Sequence, residues 1–418
     1  MVTYERHRLA NGLTVLTHEA WDTPLATVNL LYNVGSRDED PQRTGFAHLF
    51  EHLMFGGTPQ VPDFDAVVSS VGGDNNAFTI GDYTDYYTTV PAEALPTALM
   101  LEADRMAHLD ISQRALEVQQ HVVTEEYNQR YMNQPYGDVW LLLKPLCYKV
   151  HPYRWPTIGA DIRHVSEATL DDVRDFHRRF YRPDNAILAV AAPLKHEEIL
   201  RMVQDAWEAT DLRLPPPDLR PSTYPTEPLQ TASRFLEVRR EVPASMVYLA
   251  YPMCAHRTPL FRACDLLSDL LSNGESSRLH RRLVVEQGLL TEAEAVITGE
   301  ADPGLLVLSG KLRDGVSPDQ AADALRREAR KLVDEGVDDY ELQKVKNKYE
   351  NTFVLSQYKA SDRALALCHY TWLGDTGLIN REPEEYQRVT ADMVQEAAAE
   401  VFDPHKENRL YYLKDETV

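Results

Sequence analysis

Two stretches of the chain alternate apolar and polar positions with the period of a half-buried strand. They are Leu25-Ala26-Thr27-Val28-Asn29-Leu30-Leu31-Tyr32 and Ala244-Ser245-Met246-Val247-Tyr248-Leu249-Ala250-Tyr251. Each is followed by a loop and then by helical spacing. In the first half Phe46, Leu49, Phe50, Leu53, Met54 and Phe55 form the apolar faces of a helix that Gly56-Gly57 ends. A second helix is predicted over Leu116–Tyr127, with Val122 and Val123 as its apolar stripe. Later elements recur in pairs. Val165-Ser166-Glu167-Ala168-Thr169-Leu170 opens a helix with a capping-type Ser166 and runs to Tyr181-Arg182-Pro183-Asp184-Asn185, where the strand Ala186–Val190 begins. Near the C-terminus Val389-Thr390-Ala391-Asp392 opens a similar helix, followed by Phe402-Asp403-Pro404 and the strand Arg409–Leu413. Cap, helix, proline turn and strand thus repeat in one order, the mark of an internal duplication.

Between the copies, Leu214-Pro215-Pro216-Pro217 starts a stretch that continues through Pro221, Pro225 and Pro228. Proline lacks an N–H and fixes φ, so this segment reads as an extended linker. The expected organisation is an N-terminal domain over 1–213, a linker over 214–230 and a C-terminal domain over 231–418. Strands and long helices interleave without the βαβα rhythm or glycine fingerprint of a nucleotide fold. The fold class expected is therefore α+β, as two homologous domains, each a mainly antiparallel sheet with helices packed on one face. A length of 418 residues suits two domains of about 200 each.

Composition narrows the partners. Sixty-five acidic residues stand against 43 basic ones, for a net charge of −22, which repels phosphate backbones and argues against nucleic acid. No apolar run approaches the roughly 18 residues of a membrane span. Cys147, Cys254, Cys264 and Cys368 lack CxxC spacing, which excludes a thiolate metal site of that kind and a dense disulfide framework. Met1-Val2-Thr3-Tyr4-Glu5-Arg6-His7 lacks the layout of a signal peptide, so a cytoplasmic location is expected, with a periplasmic one left open.

The candidate chemistry lies in His48-Leu49-Phe50-Glu51-His52. His48 and His52 are one helical turn apart and Glu51 shares their face, so two imidazoles and a carboxylate project together. Two neutral imidazoles suit Zn²⁺, and a neighbouring carboxylate can take a proton from its water. A third protein ligand is needed. The helix over Leu116–Tyr127 offers Glu117, Glu125 and Glu126; Glu125 and Glu126 both border the Val122/Val123 stripe, and periodicity does not choose between them.

These residues resemble the pitrilysin-like, or M16, zinc metallopeptidases, the family of insulin-degrading enzyme and the mitochondrial processing peptidase. Leu9-Ala10-Asn11-Gly12-Leu13-Thr14-Val15 is similar to the family's opening motif, and Gly45 through Thr58 to its metal helix. Asn76-Ala77-Phe78-Thr79, with Asp82 through Tyr87, resembles its substrate-edge strand, and Val122-Val123-Thr124-Glu125-Glu126 its third-ligand helix. The resemblance implies Zn²⁺ held by His48, His52 and Glu126, Glu51 as general base, and peptide binding along Asn76, Ala77 and Phe78. The spacing of Glu126 from His52 falls where the family places its third ligand. Gln119 stands where the family often has a supporting Glu.

The second half aligns Asp265-Leu266-Leu267-Ser268-Asp269 with the metal helix but has no histidine there, so one zinc site per chain is expected. Catalytically complete relatives also carry an Arg, and a Tyr seven residues later, near a stretch similar to Ser276-Ser277-Arg278-Leu279. Anchored on Gly288-Leu289, those positions are Val284 and Thr291, which offer no cation or phenol to an oxyanion. Arg281 or Arg282 could serve in a shifted register. The resemblance thus implies a zinc endopeptidase acting on peptides or unfolded segments, completed by a homologous partner chain that supplies the Arg/Tyr pair, with a homodimer as the other assembly. The alternative is a non-catalytic assembly or peptide-binding subunit.

Overall fold

The computed structural model describes residues 1–209 and 224–415. Residues 214–223 of the expected linker fall outside the described residues, and 224–230 form no helix or strand. Two mixed sheets organise the chain. The first contains β1 (Glu5–Arg8), β2 (Thr14–Glu19), β3 (Leu25–Tyr32), β4 (Asp74–Thr79), β5 (Thr84–Pro91) and β6 (Ala186–Ala192), in the order β1-β2-β6-β3-β5-β4. The second contains β7 (Arg234–Arg240), β8 (Met246–Pro252), β9 (Leu290–Ile297), β10 (Leu305–Leu312) and β11 (Asn408–Lys414), in the order β7-β11-β8-β10-β9. Within each sheet one pairing is parallel, β2 with β6 and β7 with β11, and the others are antiparallel. Leaving β1 aside, the second sheet repeats the order and strand directions of the first. The recurrence of cap, helix and strand in the sequence is therefore a recurrence of topology.

The repeated helices start where a side chain can replace a missing helical partner. Thr169 adopts extended backbone angles, accepts from the Asp172 N–H and receives the Asp172 carboxylate on its own N–H, a capping box. Thr390 accepts from the Met393 N–H in the same way. Thr169, not Ser166, is thus the cap of the first copy. Ser166 lies inside a short helical turn, Arg163–Ser166, where its backbone cannot act as an N-cap.

Further helices cover the other face of each sheet. In β3 every residue from Ala26 to Tyr32 is buried, so both faces of the strand are covered. On one face Leu16, Leu31, Ala189 and Ala191 pack against Ala364, Leu367 and Cys368 of the helix Ala360–Leu373. The second sheet does likewise. Leu249, Leu306, Leu308 and Tyr411 belong to one core, and the alternate residues Ala250, Val307, Leu410 and Tyr412 to another, with Val139, Leu143 and Cys147 of the helix Val139–Cys147. Accordingly, the compact unit around the first sheet takes in Val354–Arg381 and that around the second takes in Arg130–Arg154. The contact boundaries do not follow the chain division at 214–230. Among the described residues no helix is long and apolar enough to cross a membrane, and all four cysteines are free.

Candidate metal centre

The helix Phe46–Leu53 carries the first ligand candidates, and long-range contacts fix both its start and its buried face. Gly45 precedes it with φ 90°, and a Cβ there would stand 2.7 Å from the Ile158 carbonyl oxygen, so only glycine fits. Glycine has no side chain with which to cap the helix. Glu39 does that work from six residues upstream: its two carboxylate oxygens accept from the Gly45 and Ala47 N–H groups, both at 2.9 Å. Burial pushes the Glu39 carboxyl up to about 8, against the lowering effect of those two donors. On the inner face Phe50 stacks on Phe176 and Tyr181, with ring centroids 5.1 and 4.9 Å apart. His177 stacks beside Tyr181, and burial lowers its pKa to about 4, leaving a neutral packing histidine.

The helix Gln113–Tyr127 packs against this element. Ser112 caps it, and the Gln120 side-chain amide donates to the Val165 and Ala168 carbonyl oxygens, both at 2.9 Å. Leu116 and Val123 form its buried face, while Val122 is exposed. Glu126 follows Val123 by three residues and so turns inward, whereas Glu125 and Glu117 are exposed and Glu117 accepts from Gln113. Of the three carboxylates left open by periodicity, only Glu126 meets the imidazoles.

The resulting cluster is compact. His48 Nε2 lies 3.4 Å from His52 Nε2, and Glu126 Oε2 lies 3.5 and 3.2 Å from the same two nitrogens. Ligands at bond lengths of about 2.0–2.1 Å from a tetrahedral Zn²⁺ stand roughly 3.3–3.4 Å from one another. The donor spacing therefore matches three corners of a zinc tetrahedron, and the N, N, O donor set suits the ion. Side-chain exposures of 12, 25 and 17% for His48, His52 and Glu126 leave the group open to solvent on one side. Among the described residues it is the one group of three or more His, Cys, Asp or Glu donors close enough to share an ion.

Glu51 is tied to the sheet. The Thr79 hydroxyl, at the end of β4, donates to Glu51 Oε2 at 2.6 Å. β4 is the edge of its sheet. Asn76 on it is exposed, its side-chain oxygen accepts from the Ala77 N–H at 2.8 Å, and Phe78 is half-buried with its ring edge to Tyr83. The structure thus joins the edge strand to Glu51 through Thr79, while Asn76, Ala77 and Phe78 run on along the edge. Glu39 and Thr79 are the two polar contacts that sequence reasoning missed. Both connect residues far from a recognisable capping or ligand spacing.

In the second unit, the helix Phe261–Ser272 presents no histidine. Val284 is half-buried against the second core, and Thr291 donates to the Lys311 carbonyl oxygen. The nearby arginines are engaged elsewhere: Arg278 with Glu341, Arg281 with Glu286 and Arg282 with Glu328.

Comparison with known proteins gives two family matches along the chain. The family model described as Insulinase (Peptidase family M16) matches residues 14–143, a range that contains His48, Glu51, His52 and Glu126. The one described as Peptidase M16 inactive domain matches 167–349, which contains none of them. The chain is 28% identical over 407 residues to a zinc protease, PqqE, of Helicobacter pylori, covering 94% of this chain and 89% of that one. It is 28% identical over 200 residues to the mitochondrial-processing peptidase subunit beta of Saccharomyces cerevisiae, covering 47% and 43%. A crystal structure of a protease from Helicobacter pylori superposes with a TM-score of 0.93 and 26% identity, covering 99% of this chain and all of that one.

Proposed function

Because this chain belongs to the M16 family of pitrilysin-like peptidases, we propose that it is a zinc-dependent endopeptidase, with one zinc held by His48, His52 and Glu126 and Glu51 as general base. The observation that carries this reading is the near-tetrahedral spacing of the three donors, with a carboxylate fixed by Thr79 on the same helix face. Zinc bound there supplies Lewis acidity, lowering the pKa of its water and polarising a scissile carbonyl. Glu51 takes the proton of the attacking water and returns it to the leaving amine. The Thr79 hydroxyl occupies one lone pair of Glu51 Oε2 and so orients the carboxylate. A peptide joins the β4 edge as an added strand, its carbonyl replacing the Asn76 side chain on the Ala77 N–H.

Val284 and Thr291 leave this chain without the Arg and Tyr that steady a tetrahedral oxyanion in complete relatives. A homologous partner chain carrying that pair completes the site. Assaying unfolded peptide with this chain alone and with such a partner tests the idea. Loss of one oxyanion donor costs about 10²–10³-fold in kcat, so mixing is expected to raise activity by at least about 100-fold. Full activity of the chain alone would refute the shared site. Zinc binding with no hydrolysis in either arm would favour a peptide-binding subunit instead.

A further inference from the structure

The second unit carries a pocket that the peptidase reading does not use. A cavity of about 440 Å³ opens between the helix Pro318–Asp334, the turn at Phe402–Pro404 and the ends of β7 and β11. Four guanidinium groups line it, Arg326, Arg327, Arg330 and Arg409, against the single carboxylate of Glu407. In a chain of net charge −22 such a concentration of positive charge is a local reversal of the prevailing field.

The internal pairing engages Arg326 with Glu407 and Asp323 and Arg330 with Asp334, and leaves Arg327 and Arg409 without an ion pair among the described residues. Glu407 is fully engaged: Arg326 grips its two oxygens at 2.7 and 2.8 Å, and the Tyr251 hydroxyl donates to it at 2.8 Å. Together with Asp323, to which Arg326 also donates at 2.6 Å, this holds Arg326 in place and occupies the one lining carboxylate. Arg330 pairs with Asp334, but both side chains are more than half exposed, so solvent screens the pair and an incoming anion can replace it. Arg327 is exposed and has no carboxylate within ion-pair distance among the described residues. Arg409 likewise has none. It lies over the rings of Phe235 and Tyr411, 4.7 and 5.1 Å from their centroids, and its buried Nε donates to no group. The aromatic faces fix this guanidinium without neutralising it.

Guanidinium forks match the oxygens of a phosphate group two at a time, and the volume is that of a small-molecule site rather than of a macromolecular groove. We propose that this pocket binds a phosphorylated small molecule, with Arg327, Arg330 and Arg409 on the phosphate oxygens and Arg326 held ready beside them by Glu407. Tyr251 and Phe402, edge to face at 5.3 Å, form its apolar floor. The proposal does not depend on the peptidase reading.

Calorimetric titration of the full chain with pyrophosphate and with ADP, at constant ionic strength, tests it. Saturable binding with one site per chain is expected, weakened about tenfold or more in Arg409→Gln and in the double variant Arg327→Gln/Arg330→Gln. The double variant changes exposed side chains, so it reads the site even if Arg409→Gln disturbs folding. Equal affinity for the two ligands assigns binding to the phosphates alone, and tighter ADP adds a seat for the nucleoside; either result supports the proposal. No saturable binding of either ligand, or unchanged affinity in the double variant, would overturn it.

Discussion

Glu51→Gln is expected to lower kcat for peptide hydrolysis by about 10²–10⁴-fold, the range of a positioned general base, while one zinc per chain is retained. The amide is nearly isosteric with the carboxylate, and its oxygen can still accept from the Thr79 hydroxyl, so the helix face and the edge strand keep their positions. What is lost is proton affinity at the group beside the metal. KM should change little, because the side chain acts on the proton in transit rather than on bound peptide. Steady-state kinetics with metal analysis of the same preparation check this. Activity within a few fold of the wild type would remove Glu51 from the mechanism. The assay belongs in the form of the enzyme that is active, with the homologous partner present if the chain alone is slow.

The second large effect is on the metal. Glu126→Ala leaves two imidazoles where a catalytic zinc takes three protein ligands. Loss of an outer-sphere partner alone costs 10–100-fold in affinity, so loss of a ligand should exceed about 100-fold. Glu125→Ala, one residue away and exposed, should leave affinity unchanged. Competition with a chelating dye measures both variants on one scale. Similar behaviour of the two would mean that the inward turn of Glu126 does not place it on the ion.

The contrast between those two glutamates shows what was legible in the sequence. His48, Glu51 and His52 lie within one turn of one helix, so local geometry alone puts them on a common face. The choice between Glu125 and Glu126 depends on which side of a second helix faces inward. The apolar stripe pointed both ways because Val122, apolar and beside Val123, is exposed in the fold. Glu39 left no local sign, since the residue at the capping position is glycine and the carboxylate reaches the helix from a preceding turn. Thr79 meets Glu51 only once β4 is laid against the metal helix.

The same distinction holds for the fold. β3 was found to the residue, Leu25–Tyr32, because alternation and β-branched or aromatic content agree. Its second buried face was less visible, although the adjacent Leu30 and Leu31 already required cover on both sides. Which helix supplies that cover is a matter of tertiary contact. Val139–Cys147 and Ala360–Leu373 are helices with buried apolar residues, but nothing local in them says which sheet they join. The duplication, by contrast, was readable because in each copy a helix leads through a proline turn to an equivalent strand, even though the cap of the first helix is Thr169 and not Ser166.

His48, His52 and Glu126 are proposed to hold a zinc ion while leaving one side open to solvent. Anomalous diffraction recorded across the zinc absorption edge, on crystals of the chain supplied with one equivalent of zinc, tests it most directly. One strong peak per chain is expected, about 2.0–2.2 Å from His48 Nε2, His52 Nε2 and a Glu126 carboxylate oxygen. A peak elsewhere, or none between these three side chains at full zinc occupancy, would contradict it.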